Sequence, residues 1–284
     1  MKPLAFAALF ALAAAFGQPS GKPAWTDTEQ PILDRLRTLR AVPDDKRGAV
    51  TRQLAVDIRH LSSPSQLRLA TTLAGLSTEG DYGKSTLQEV ANTLAAALER
   101  TPPPPDKPGQ PAMSYLYLAQ LIRYEHVQVA LDNPQLKAAF ARLEDNDKKR
   151  QEANFTLNDL TGKAWTLKDL RGSVVLVNFW ATWCPPCRKE MPDLETLYRR
   201  FHKQGLVVLS ISDEDAGKVR TYLADKGYTY PVLLDPGRKV NDAFAIEGIP
   251  KSFVFNREGK LVSQAIDMRT MDQFLGMLRA AGLK

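Results

Sequence analysis

The sequence predicts a two-part chain: an all-α first half followed by an α/β domain built on a central mixed sheet flanked by helices. Three observations carry this. Apolar residues recur at helical spacing up to about residue 152, continuous apolar runs then alternate with helical stretches, and the length of 284 residues suits roughly two domains of about 150 residues. The boundaries drawn are 25–150 for the helical domain and 151–284 for the α/β domain.

Val50, Leu54, Ile58 and Leu61 mark one helix, and Leu87, Val90, Leu94 and Leu98 mark another. Ser85 with Gln88 three residues on resembles a capping box and sets a helix start there. The Pro102–Pro105 run interrupts helix, because proline lacks the amide donor and restricts the residue before it. Residues 111–131 then read as a central helix, apolar nearly all round. Asp132-Asn133-Pro134 breaks it, and a further helix ends near Lys148-Lys149-Arg150. Five or six helices in a bundle or short helical array follow from this spacing.

After Ala153 the period changes. Residues 155–157 and 163–167, with Thr161-Gly162 between them, read as a hairpin. Residues 173–179, 206–212 and 231–234 are uninterrupted apolar runs, as strands covered on both faces should be. Helices at about 186–202 and 216–226 separate them. A second hairpin pairs 252–255 with 261–266 across Arg257-Glu258-Gly259-Lys260. A last helix spans 270–281, with Thr270 and Gln273 suited to its cap.

Composition excludes several functions. The net charge of +6 is spread along the chain: 18 Lys/Arg against 16 Asp/Glu in residues 18–150, and 19 against 16 in 151–284. Neither half is basic enough to offer an obvious face to nucleic acid. At the N-terminus Lys2 precedes an uncharged apolar run, Leu4–Phe16, too short to span a bilayer comfortably but suited to a signal peptide. Residues 1–17 are therefore expected to direct export, with cleavage before Gln18 or retention as an anchor, and the protein is placed in the periplasm or otherwise outside the cytoplasm.

The chemistry lies in Trp183-Cys184-Pro185-Pro186-Cys187-Arg188, directly after a buried strand and at the opening of a helix. The first helical turn presents unpaired N–H groups and the positive end of the dipole, which stabilise an anion. A thiolate at Cys184 gains that stabilisation and should ionise below the roughly 8.5 of a free thiol. Cys184 then attacks a substrate disulfide and Cys187 resolves the mixed disulfide; run backwards, the same steps oxidise a dithiol. No cofactor is needed. Zinc would require about four ligands, whereas the chain holds these two Cys and His60, His126 and His202, none at ligand spacing. Copper held by two Cys and a His lacks a His near the motif. A purely structural disulfide closing so small a loop would stabilise little.

Residues 175–192, from Val175 through Trp183-Cys184-Pro185-Pro186-Cys187 to Pro192, resemble the active-site segment of thioredoxin-fold proteins. They are most similar to the exported TlpA/ResA-like thiol–disulfide oxidoreductases. The likeness covers about 153–284, including Gly248-Ile249-Pro250, and leaves the helical half unassigned. It implies a thioredoxin-like sheet, a nucleophilic Cys184, a resolving Cys187 and a cis Ile249–Pro250 bond that sets the Ile249 backbone beside the disulfide. Trp183, Pro185, Ile249 and Pro250 are thus expected to meet substrate. Thioredoxins carry a buried Asp where this chain has Asn178, which cannot ionise; the TlpA/ResA-like group instead has an acid after the second cysteine, here Glu190. Three residues from Cys187 on a helix, Glu190 faces the same side, and burial would let it exchange the Cys187 proton. Pro192 is expected to kink the helix.

The resemblance further implies reductive work on protein disulfides, including preparing apocytochrome c thiols for haem attachment, with a membrane thiol donor. Prolines between the cysteines add no charge to the helix-end effect, which sets an expected potential of roughly −200 to −270 mV. Two other functions compete. A peroxidase would want Thr or Ser three residues before the reactive Cys, where Ala181 stands. A partner-binding protein with a secondary redox domain would use Tyr115, Tyr117 and Tyr124 as anchors, although their place on an apolar helix equally suits a core.

Overall fold

The computed structural model describes residues 25–62 and 64–284; the export segment read at 1–17 lies outside them. Six α-helices form the first half among the described residues: α1 (Gln30–Thr38), α2 (Asp44–Arg59), α3 (Gln66–Leu76), α4 (Lys84–Arg100), α5 (Met113–Tyr124) and α6 (Pro134–Glu152). Helix α4 shows why these segments are helical. Leu87, Val90, Ala91, Leu94 and Leu98 return every three or four residues and all are buried. They meet Leu54 and Ile58 of α2, Leu73 of α3 and Leu118 of α5 in one apolar core. Helices α3 and α5 approach closely at Gly75, where a Cβ would stand 3.2 Å from the Tyr117 ring.

Two expectations for this half need correction. Helix α4 begins at Lys84 with Gly83 (φ 76°) as its N-cap, so no capping box forms at Ser85; the Gln88 amide instead donates to the Gln128 carbonyl at 2.7 Å. Helix α5 stops at Tyr124, well short of 131, because His126 adopts a left-handed conformation (φ 56°) and Val127 leaves the helical path. Tyr115 is fully buried in the core, Tyr117 is half-buried and Tyr124 hydrogen-bonds Asp147 at 2.8 Å, so these rings pack within the chain.

The second half opens with the hairpin β1 (Thr156–Asn158) and β2 (Ala164–Thr166). Its main sheet has five strands in the order β5-β4-β3-β6-β7: β3 (Val174–Phe179), β4 (Leu206–Ser212), β5 (Val232–Leu234), β6 (Lys251–Phe255) and β7 (Leu261–Ala265). Strands β3, β4 and β5 run parallel, β6 runs antiparallel to β3, and β7 runs antiparallel to β6, so the mixed sheet is as expected. All six residues of β3 are buried, which is what the centre of a sheet covered on both faces demands.

Alternation along β3 sends its residues to two separate cores. Val174 and Leu176 meet α7 (Pro185–Phe201), α8 (Ala216–Leu223) and α10 (Met271–Ala280) through Met191, Val219 and Phe274. Val175, Val177 and Phe179 face the β1–β2 hairpin and a short helix, α9 (Lys239–Ala243), that periodicity over so few residues does not reveal. Phe244 sits at the centre of that face, 5.3 Å from the Phe179 ring and 5.2 Å from Phe253. Thr270 and Gln273 form the expected capping box of α10.

The halves meet through polar groups. Arg150 of α6, nearly buried, donates to the Phe244 carbonyl at 2.9 Å and to Gln264 at 3.0 Å, and Arg142 pairs with Glu247. Lys189 of α7 pairs with Asp44 of α2 at 2.6 Å. Between them lies a cavity of about 170 Å3 lined by Thr78, Met113 and Tyr117 on one side and Ile249, Pro250 and Lys251 on the other.

Candidate active site

Strand β3 delivers the chain to the centre of the sheet end, and the turn after it starts α7 with Cys184 as N-cap. Cys184 is extended (φ −90°, ψ 105°), and its Sγ accepts the Cys187 N–H at 3.2 Å, the place a serine or aspartate oxygen takes at other helix starts. Prolines at the next two positions fit because the first helical N–H groups have no partner within the helix. Cys184 and Cys187 form a disulfide. Both are nearly inaccessible, whereas Trp183 beside them is 68% exposed, and Pro185 also faces outward.

The Ile249–Pro250 bond is cis. It brings the Ile249 carbonyl oxygen to 3.8 Å from Cys184 Sγ. The sequence-predicted residues Trp183, Cys184, Pro185, Cys187, Ile249 and Pro250 therefore surround one point at the sheet end. Thr182, immediately before Trp183, commits both its N–H and its hydroxyl to Glu214, at 2.5 and 2.9 Å.

Glu190 is buried beneath the motif, one turn along α7 from Cys187. Its Oε1 accepts from Asn178 Nδ2 at 2.8 Å and its Oε2 from the Arg269 N–H at 3.1 Å. Asn178 also donates to Ser252 Oγ at 3.0 Å, and its own Oδ1 has no partner. Burial pushes the Glu190 carboxyl up to about 8, against the pull of the two hydrogen bonds. The amide at 178 thus holds the acid that the neighbouring helix supplies.

Sequence reasoning missed the charged groups around Glu190. Asp267 and Arg269 come from the turn between β7 and α10. Burial raises Asp267 to about 6, and burial lowers Lys251, at the start of β6, to about 8. Lys251 donates to the Ile266 carbonyl, and the Arg269 guanidinium pairs with Glu125 at 2.6 Å. Lys251 directly follows the predicted Pro250, and that adjacency was the one signal for it. Among the described residues no group of three or more His, Cys, Asp or Glu is arranged to hold a metal ion.

The AhpC/TSA family model matches residues 149–264. The thiol–disulfide oxidoreductase ResA of Bacillus thuringiensis (strain Al Hakam) is 37% identical over 131 residues, 46% of this chain and 76% of that protein. ResA of Bacillus subtilis (strain 168) is 38% identical over 126 residues, 44% of this chain and 70% of that protein. A solved thiol:disulfide interchange protein of the thioredoxin family from Chlorobium tepidum TLS covers 45% of this chain and 92% of its own, with 30% identity and a TM-score of 0.42. The identity to two ResA proteins over most of their length makes this chain a member of the ResA family of thiol–disulfide oxidoreductases, with a thioredoxin-like second half.

Proposed function

We propose that the chain is an exported protein-disulfide reductase that works through Cys184 and Cys187, with 25–150 and 151–284 as two domains. The observation that carries this reading is the seat of Cys184 Sγ: it caps α7, accepts the Cys187 N–H, and lies beside the Ile249 carbonyl. In the reduced enzyme a Cys184 thiolate at that seat is stabilised by the helix end. It attacks one sulfur of a substrate disulfide, forming a mixed disulfide and expelling the other sulfur as thiolate. The Cys187 thiol loses its proton to Glu190 and attacks Cys184 Sγ. The second substrate sulfur leaves as thiolate; Glu190 gives the Cys187 proton on to one substrate sulfur, water protonates the other, and the enzyme holds the Cys184–Cys187 disulfide. Trp183, Pro185, Ile249 and Pro250 frame the substrate strand.

Support for Glu190 comes from its burial and its raised carboxyl, which bring its titration close to neutral pH, so that its carboxylate form takes the Cys187 proton and its acid form returns it. We assign the enzyme to thiol preparation on exported proteins, apocytochrome c among them, with a membrane thiol donor restoring the dithiol and the helical domain docking a protein partner. The apolar run at 4–16 is the ground for export. No helix among the described residues is long and apolar enough to cross a membrane.

A peroxidase reading follows from the AhpC/TSA match, but Ala181 stands where a hydroxyl is wanted and Thr182 is held by Glu214. Cys187→Ser in the full chain tests the exchange reading, since it leaves the mixed disulfide unresolved. Recovery of proteins bound through Cys184 supports it, and peroxide consumption with no protein captured overturns it. A potential near −120 mV, the range of strong oxidants, would overturn the reductive direction.

A further inference from the structure

Residues 267–270 lie between the two halves and touch both. On one side the Arg269 N–H holds Glu190 Oε2 at 3.1 Å. On the other the Arg269 guanidinium reaches Glu125, just past the end of α5, at 2.6 Å, and the Thr78 hydroxyl of the helical half lies 3.4 Å from Asp267. The Arg269 and Glu125 side chains are only 7% and 12% exposed, so water screens their charges little. One residue thus grips the active-site acid with its backbone and the helical half with its side chain.

We propose that Glu125 is a positioning residue for the redox site: by holding and neutralising Arg269, it sets how firmly Glu190 keeps its proton, and so couples the helical half to thiol exchange. The inference rests on Glu190 serving the Cys187 proton.

The surroundings of Glu190 make the sign of this coupling definite. From β3 it faces the neutral Asn178, bonded on to Ser252 of β6; from its own helix, Cys187; and from beside β5, Tyr230, whose hydroxyl burial keeps protonated. From the turn after β7 it faces Asp267, which favours the protonated acid, and Arg269, which favours the carboxylate. Lys251 of β6 and Glu79 of the helical half act on Asp267 in turn. Arg269 is therefore the cation whose effect on Glu190 opposes that of Asp267, and Glu125 is its partner across the junction.

Charge then predicts opposite effects for the two partners. Glu125→Gln leaves Arg269 uncompensated, which favours the Glu190 carboxylate and moves its titration downward by about 0.5 unit or more. Arg269→Gln removes the cation and leaves Glu125, which moves the titration upward. The double variant returns it close to the parent value. A merely structural role gives a different pattern, because loosening the turn admits water and moves all three variants downward.

The test follows the Glu190 carboxyl carbon by NMR across pH in the oxidised full chain, with the resonance assigned by its loss in Glu190→Gln. Shifts of opposite sign that cancel in the double variant are the expected result. Shifts of one sign, or none, overturn the inference; if Arg269→Gln does not fold, an unmoved titration in Glu125→Gln overturns it alone. The pH profile of small-disulfide reduction is read beside it on the same variants. Titrations that move as stated while the profile stays fixed uphold the Glu125 coupling and instead refute the role of Glu190 in exchange.

Discussion

Glu190 makes the oxidised protein less stable as pH rises through neutrality, by an amount that its burial sets. An acid whose folded value is raised binds its proton more tightly folded than unfolded. Stability is therefore lost as pH climbs from the ordinary value toward the folded one, and the loss stops above it. For Glu190 that window runs from 4.5 to about 8. Asp267, with a folded value of about 6, and Lys251, with one of about 8, overlap only the two ends of pH 6 to 8 and with opposite signs, so that interval reads mainly Glu190. Two pH units, less the half-titration at the upper end, at about 1.36 kcal/mol per unit, give a loss of about 2 kcal/mol. Urea unfolding of the oxidised chain without reductant measures it, because the thiols cannot titrate while paired. Glu190→Gln keeps a hydrogen-bonding side chain of the same size without the acid, so the loss between pH 6 and 8 should vanish in that variant. Equal slopes in parent and variant would refute the assignment of the raised acid to Glu190.

Three further outcomes follow from the same structure. In the reduced protein Cys184 should be alkylated by iodoacetamide with a pH midpoint below the roughly 8.5 of free cysteine, and a midpoint at or above that value would remove the helix-end stabilisation. Tyr115→Phe should be neutral or stabilising by about 1 kcal/mol in urea unfolding, because the Tyr115 hydroxyl is buried with no partner; a loss above about 1 kcal/mol would reveal a partner instead. Phe244→Ala should cost about 3–5 kcal/mol and slow exchange as well, since the ring fills the core beneath the segment leading to Ile249. Unchanged stability would show that the site collapses around the gap.

The α/β half was readable because its signals are local and redundant. The apolar run of β3 predicts a strand buried on both faces, and the helix immediately after it puts Cys184 at an N-terminus. Each inference needs only neighbours in sequence. Helix ends in the first half were less readable because two local signals competed. At Ser85 the spacing of a capping box was present, yet Gly83, with its positive φ, takes the N-cap and starts the chain into α4 two residues earlier. At His126 a left-handed residue that is not glycine ended α5 while the apolar pattern ran on through Val127 and Val129. The charged surroundings of Glu190 were not readable at all. Arg269, Asp267 and Lys251 come from β6 and from the turn after β7, and Glu125 from a loop about 140 residues away; no periodicity joins them. Asn178 was legible only as a missing acid, because its role depends on α7 crossing beside β3.

The polar character of the junction follows from where the apolar surface has already been spent. The helical half closes its own core around Leu54, Leu73 and Leu94, and the sheet covers both faces with α7, α8 and α10 on one side and the hairpin and α9 on the other. Little apolar surface remains, and what joins the halves is a set of ion pairs and hydrogen bonds. Their placement is uneven. Asp44 meets α7 two residues beyond Cys187, Arg142 and Arg150 hold the segment leading to Ile249, and Glu125 and Thr78 hold the turn that grips Glu190. Each of the three segments framing the disulfide thus carries a contact from the helical half. An apolar contact would fix distance but leave the local field unchanged. A charged contact at low exposure does both, and among the described residues Glu125–Arg269 is the most deeply buried ion pair across this junction.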